Sequence, residues 1–112
     1  MGGAILSLCV VLTLSGPGRP IAQDNCEPYT VTAYAQEDFP GATFDGTPTR
    51  GNVGVIAAGS LNLPIDTIVW IEGFGQRRIA DRGRLGSRHV DVLVQTRAEA
   101  IQIGRSTATV CR

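Results

Sequence analysis

Apolar residues recur at every second position through much of the chain, and glycines and prolines break several of these stretches. Tyr29-Thr30-Val31-Thr32-Ala33-Tyr34 alternates aromatic and β-branched residues and predicts a first strand. Residues 36–51 carry Pro40-Gly41, Asp45-Gly46 and Pro48, so a long surface loop follows. Val53-Gly54-Val55-Ile56-Ala57-Ala58 predicts a buried second strand, residues 59–64 a connector, and Thr67-Ile68-Val69-Trp70-Ile71 a third strand stopped by Gly73 and Gly75. Two more strands are expected over 76–80 and 88–94, with 81–87 as a glycine-broken loop between them. In the second of these, Val90, Val92 and Val94 share one face while His89, Asp91 and Leu93 share the other. That period predicts an Asp91 carboxylate displayed on the side away from the valine core. Thr96-Arg97-Ala98-Glu99 has the form of a capping box, opening a short helix that runs through Ala100, Ile101 and Ile103 and ends at Gly104. Residues 106–111 make a final strand. About six short strands and one short helix in so small a domain predict a mainly β fold closed into a barrel, because closure removes exposed strand edges.

The first 22 residues differ in kind. Ala4 to Leu14 is an apolar run followed by Ser15-Gly16-Pro17-Gly18, which resembles a signal-peptide core and its helix-breaking end. Eleven residues are too few to cross a bilayer, which takes about twenty. Residues 1–22 are therefore expected to be an export leader and 23–112 a single domain, secreted, periplasmic or otherwise in the cell envelope, with no stable membrane span after processing. If Cys9 leaves with the leader, Cys26 and Cys111 remain, and an even pair in an oxidising compartment predicts a disulfide joining the first strand to the last. Arginines number ten and acidic residues ten, with no lysine, giving a formal net charge of zero. No basic field is left to attract nucleic acid, and no lysine is present for Schiff-base chemistry.

Chemistry is concentrated at Asp81 and Asp91, ten positions apart. Cleavage of a glycosidic bond needs one or two carboxyl groups at a cleft, and a β scaffold can position them as acid and base. The plain alternative is two solvated surface aspartates. Arg82, Arg84 and Arg88 weigh against an acid, because a guanidinium at Asp91 would hold it ionised. His89 could share a proton with Asp91 or bind sugar, although a single histidine without clustered ligands is more often packed or exposed and gives no metal site. Tyr34 and Trp70 could stack on a sugar ring, but an aromatic inside a strong strand more often belongs to the core. Asp45, in the long loop with Glu37 and Asp38, could reach the cleft. Nothing in the chain calls for a cofactor.

Eight fragments in order resemble the three-aspartate (3D) domain family: Val31-Thr32-Ala33-Tyr34, Thr43-Phe44-Asp45-Gly46-Thr47-Pro48-Thr49, Val55-Ile56-Ala57-Ala58, Leu63-Pro64-Ile65-Asp66-Thr67, Val69-Trp70-Ile71-Glu72-Gly73-Phe74-Gly75, Ala80-Asp81-Arg82-Gly83, Val90-Asp91-Val92 and Glu99-Ala100-Ile101-Gln102-Ile103-Gly104-Arg105. The resemblance spans almost all of residues 29–110. It implies a small six-stranded double-psi β-barrel with one short helix, related to the barrels of membrane-bound lytic transglycosylase A, family-45 endoglucanases and expansins. It also implies an exported bacterial protein acting on a polysaccharide, peptidoglycan. Asp81 and Asp91 match the family's second and third aspartates, with Asp91 as general acid then base and Asp81 supporting it. Tyr34, Thr43, Asp45, Gly83 and His89 then become expected substrate-binding residues. Three departures stand out. Gly59 occupies the place of the first aspartate; the loop after Asp81 is one residue shorter and carries two arginines; and Asp66 stands where glycine is usual, which suggests a turn residue tolerating left-handed geometry. The two functions expected are lytic-transglycosylase-type cleavage and, as the alternative, non-catalytic expansin-like glycan binding or wall loosening.

Overall fold

A computed structural model describes residues 25–112. The expected leader, residues 1–22 with Cys9, lies outside the described residues. Alternation of side chains produces six strands: β1 (Cys26–Ala35), β2 (Ile56–Gly59), β3 (Ile68–Ile71), β4 (Gly75–Arg82), β5 (His89–Val94) and β6 (Ser106–Cys111). They close into a barrel in the order β1-β5-β2-β4-β3-β6. The β1–β5 and β2–β4 pairs are parallel and the remaining pairs antiparallel. The fold is thus mainly β, a closed six-stranded barrel with one α-helix, as expected from the pattern.

The barrel interior is filled by Val31, Ala57, Val69, Ile71, Ile79, Val90, Val92 and Val110, with Tyr29 and Leu63 closing it. These are β-branched or small side chains on the inward faces of the strands. Helix α1 (Arg97–Ile103) lies outside with no buried residue. Its capping box is complete, with the Thr96 side chain accepting from the Glu99 N–H and the Glu99 carboxylate accepting from the Thr96 N–H. Gly104 ends it at a φ of 64°. Cys26 and Cys111, partners in the β1–β6 register, form a disulfide that closes a sequence separation of 85 residues. Among the described residues no helix is long and apolar enough to cross a membrane.

Several boundaries differ from expectation, each for a local reason. The second strand begins at Ile56, because Gly54 adopts a φ of 80° and turns the chain, leaving Val55 exposed. β4 runs on to Arg82, so Asp81 belongs to a strand and not to the following loop. Trp70 is not core: Val69 and Ile71 take the inward positions of β3, and Trp70 is left half-buried on the outer side. Asp66, at a φ of 76°, does adopt the left-handed geometry expected of it, and its carboxylate pairs with Arg78 at 3.0 Å.

The loop between β1 and β2 is not a free surface loop. A single 3-10 turn (Gln36–Asp38) starts it, and its backbone then binds the outer side of the barrel. Asp45 N–H donates to the Ala80 carbonyl and Gly54 N–H to the Leu93 carbonyl. Thr49 is buried, its hydroxyl donating to the Phe39 and Gly41 carbonyls. This strap covers a second small apolar cluster of Ile56, Ala80 and Leu93, with Tyr34 and Val53 against it.

Candidate functional site

One transverse row of residues crosses four neighbouring strands. Thr32 of β1 is opposite Asp91 of β5, Asp91 is opposite Ala58 of β2, and Ala58 is opposite Asp81 of β4. The last pairing depends on a bulge. Ala57 faces Ile79, but Ala58 faces Asp81, leaving Ala80 as the extra residue in β4. Without that insertion the pairing partner of Ala58 would be Ala80. The bulge brings Asp81 into the row of Asp91, two strands away, or about 10 Å between backbones at an ordinary strand spacing. Ala58, which is buried, holds the row position between the two aspartates.

Asp91 is not displayed in the sense its alternation suggested. Leu93, on the same face, is fully buried and His89 is 8% exposed, because the strap and the β1 side chains cover that face. The Asp91 carboxyl is largely withdrawn from water, and its pKa is pushed from 3.8 up to about 6. Burial is the main cause; the negative charge of Asp81 adds to it, and a hydrogen bond from the Thr32 hydroxyl opposes it.

Thr32 is the residue that sequence reasoning missed. Its hydroxyl donates to Asp91 Oδ1 at 3.0 Å and lies 2.8 Å from His89 Nε2. A hydroxyl has one proton, so the two contacts are linked. When Asp91 is ionised and takes that proton in its hydrogen bond, His89 must present Nε2–H to the hydroxyl oxygen. When Asp91 is protonated it can donate to Thr32, whose own proton then turns to a bare Nε2. Burial, and then the charge of Arg105, lower the His89 pKa, which favours a neutral ring able to take either tautomer.

Asp81 is held by three donors. The N–H groups of Phe44 and Arg82 both reach Oδ1 at 2.9 Å, and the Tyr34 hydroxyl reaches Oδ2 at 3.3 Å. Tyr34 therefore meets the site as a hydrogen-bond donor, with its ring set edge-on to Phe39 at 5.6 Å. Its pKa is raised far above 10, by burial first and then by the charges of Asp81 and Asp91, so the phenol keeps its proton.

The other expected residues divide. Asp45 cannot replace a missing acid, because Thr47 and Arg78, with Thr43, hold its carboxyl well below the usual range. Arg78 pairs with it at 2.8 Å, and the Thr43 hydroxyl donates to it at 2.7 Å, so Thr43 and Asp45 anchor the strap. Gly83 follows β4 and is exposed. Two of the three arginines are directed elsewhere: Arg88 pairs with Glu27 at 2.7 Å, and the Arg82 guanidinium lies over the Phe44 ring at 5.6 Å. Among the described residues no group of three or more His, Cys, Asp or Glu side chains could hold a metal ion.

Gly59 does not belong to the row. A Cβ built there would meet Leu63 Cβ at 3.0 Å and Ile79 Cγ2 at 3.1 Å, both in the barrel interior. The position expected to hold a third aspartate therefore faces the core in this chain. The fold and site define a closed six-stranded barrel carrying a strand-mounted carboxylate pair, one member largely withdrawn from water and bonded to a hydroxyl that also meets an imidazole. No family model matches the chain, and no curated protein matches it in sequence.

Proposed function

We propose that this domain cleaves a cell-wall glycan, peptidoglycan, by a lytic-transglycosylase-type reaction with Asp91 as acid and then base, in an exported protein of the 3D-domain type. The supporting observation is the environment of Asp91: a carboxyl with a pKa of about 6, positioned by Thr32 and adjoining a second, fixed carboxyl. A general acid works best when its pKa lies near the operating pH, so that it carries a proton and can still release it. Protonated Asp91 donates to the glycosidic oxygen as the C1–O bond breaks. Its carboxylate then accepts the proton of the sugar's own 6-hydroxyl as that oxygen attacks C1, closing a 1,6-anhydro ring. No water enters, and intramolecular attack takes the place of a second catalytic group. Asp81 contributes negative charge beside the cationic transition state and keeps Asp91 protonated to higher pH.

Incubation of the protein with purified peptidoglycan, followed by mass spectrometry of the released fragments, tests this. Products ending in 1,6-anhydro sugars are expected, with a loss of about 100- to 10,000-fold in Asp91→Asn, the range of general acid–base contributions. Reducing ends in place of anhydro ends would mean hydrolysis. Retention on the insoluble wall with no released fragments would identify a binding or wall-loosening module, the reading that two carboxylates in place of three also suits.

A further inference from the structure

Beside Asp81 the surface carries an aromatic ring and a guanidinium that the cleavage chemistry does not use. Phe44 lies in the strap and is 68% exposed, more than Phe39 at 55% or Val55 at 51%. The Phe44 backbone is fixed at the site, since its N–H is one of the three donors on Asp81. Arg82, whose N–H is another, lays its guanidinium over that ring at 5.6 Å. Both side chains therefore project from backbone fixed to the same carboxylate oxygen. Ion pairs among the described residues engage Arg78, Arg88 and Arg97, and none engages Arg82. Arg84, two residues on, is exposed.

We infer that Phe44 and Arg82 form a binding subsite for a glycan unit bearing a carboxylate, the ring receiving the apolar face of the sugar and the guanidinium its anionic substituent. This deepens the proposed function and rests on it. An exposed aromatic alone would accept any sugar face, and a guanidinium alone any anion. Held together at the edge of the Asp81–Asp91 row, they select a polymer that offers both within one repeating unit, a sugar face and the carboxylates of its peptide substituent. Neutral β-linked glycans satisfy only the ring. The planar guanidinium suits this role because it can stack on the aromatic face while its outer N–H groups remain directed at a carboxylate.

The test measures binding of the full protein in an Asp91→Asn background, where turnover is removed, to purified peptidoglycan and to the same material with its carboxyls capped as neutral amides. Arg82→Gln is expected to weaken binding to the native polymer about fivefold, the scale of an exposed charge pair, and to leave binding to the capped polymer unchanged. Phe44→Ala is expected to weaken both. Melting curves of each variant confirm that the barrel is intact. If the parent binds native and capped material equally, or Arg82→Gln binds the native polymer as the parent does, the subsite assignment is wrong while the glycan reading stands. If neither the wild-type protein nor the parent binds or cleaves peptidoglycan at all, the glycan reading falls and this inference with it.

Discussion

Replacing Asp91 by asparagine should make the protein more stable at neutral pH and not at acid pH. A carboxyl whose pKa moves from 3.8 in the open chain to about 6 in the fold is a group the fold prefers protonated. The folded state therefore binds more protons than the unfolded state between those values, and its stability falls as pH rises through that window. Above about pH 6 the wild-type fold bears the full cost of an ionised, largely buried Asp91, about 3 kcal/mol at 1.36 kcal/mol for each tenfold in the proton equilibrium. Asparagine carries no charge and can still accept the Thr32 hydroxyl at its side-chain oxygen. Its amide hydrogens need acceptors that a carboxylate did not, which reduces the gain to about 1–2 kcal/mol at pH 7.5. A domain of this size melts about 4–8 °C higher for each such kcal/mol. Thermal and urea unfolding of both proteins at pH 4 and pH 7.5, with the disulfide intact, measures the difference. Titrations of Asp38 and Asp45 are common to both proteins and cancel. A difference that does not change with pH, or a variant less stable at pH 7.5 than at pH 4 relative to wild type, would refute the burial of Asp91 as the source of its shift.

Thr32→Val removes the hydrogen bond that opposes the shift, so the Asp91 pKa should rise by about one pH unit or more, as loss of a bond to a charged group implies; carbon-detected titration of the Asp91 carboxyl reads this directly. On the proposed reaction the cleavage rate should fall tenfold per pH unit above about 6, and that limb should move to higher pH in the same variant. Gly59→Asp should not restore a third functional aspartate, since its Cβ would lie 3.0 Å from Leu63 Cβ. Even Gly59→Ala should cost about 1–3 kcal/mol by overpacking, measured by urea unfolding. Reduction of the Cys26–Cys111 bond, which closes 85 residues, should lower stability by about 2–5 kcal/mol in the same assay.

The barrel was legible because inward positions on short strands carry valine, isoleucine or alanine in strict alternation, and because the Thr96–Glu99 capping box and the Cys26–Cys111 pair are local chemical signatures. The site was legible only in part. Period two assigns Asp91 to the face opposite Val90 and Val92 but says nothing of what lies over that face. Here the strap from Gln36 to Val55 lies over it, held by backbone bonds to Ala80 and Leu93 that any sequence could supply. The bulge at Ala80 has no residue signature either, yet it decides that Asp81 and not Ala80 stands opposite Ala58. Thr32 is one of two threonines in β1, and only the parallel β1–β5 register shows that it faces Asp91.

The same register bears on the missing third aspartate. Burial and one neighbouring negative charge bring Asp91 to about 6, with Thr32 restraining the rise. A further carboxylate in the row would add to the repulsion and move the acid away from the pH range where it both holds and releases its proton. Ala58 is the row position between the two aspartates, whereas Gly59 faces Leu63 and Ile79. Two carboxyls therefore suffice for the proposed reaction, which requires one proton donor and draws its nucleophile from the substrate. On this reasoning the chain does not need the third aspartate for an acid tuned near neutrality, and Ala58→Asp, which puts a carboxyl between Asp81 and Asp91, should displace the Asp91 titration upward.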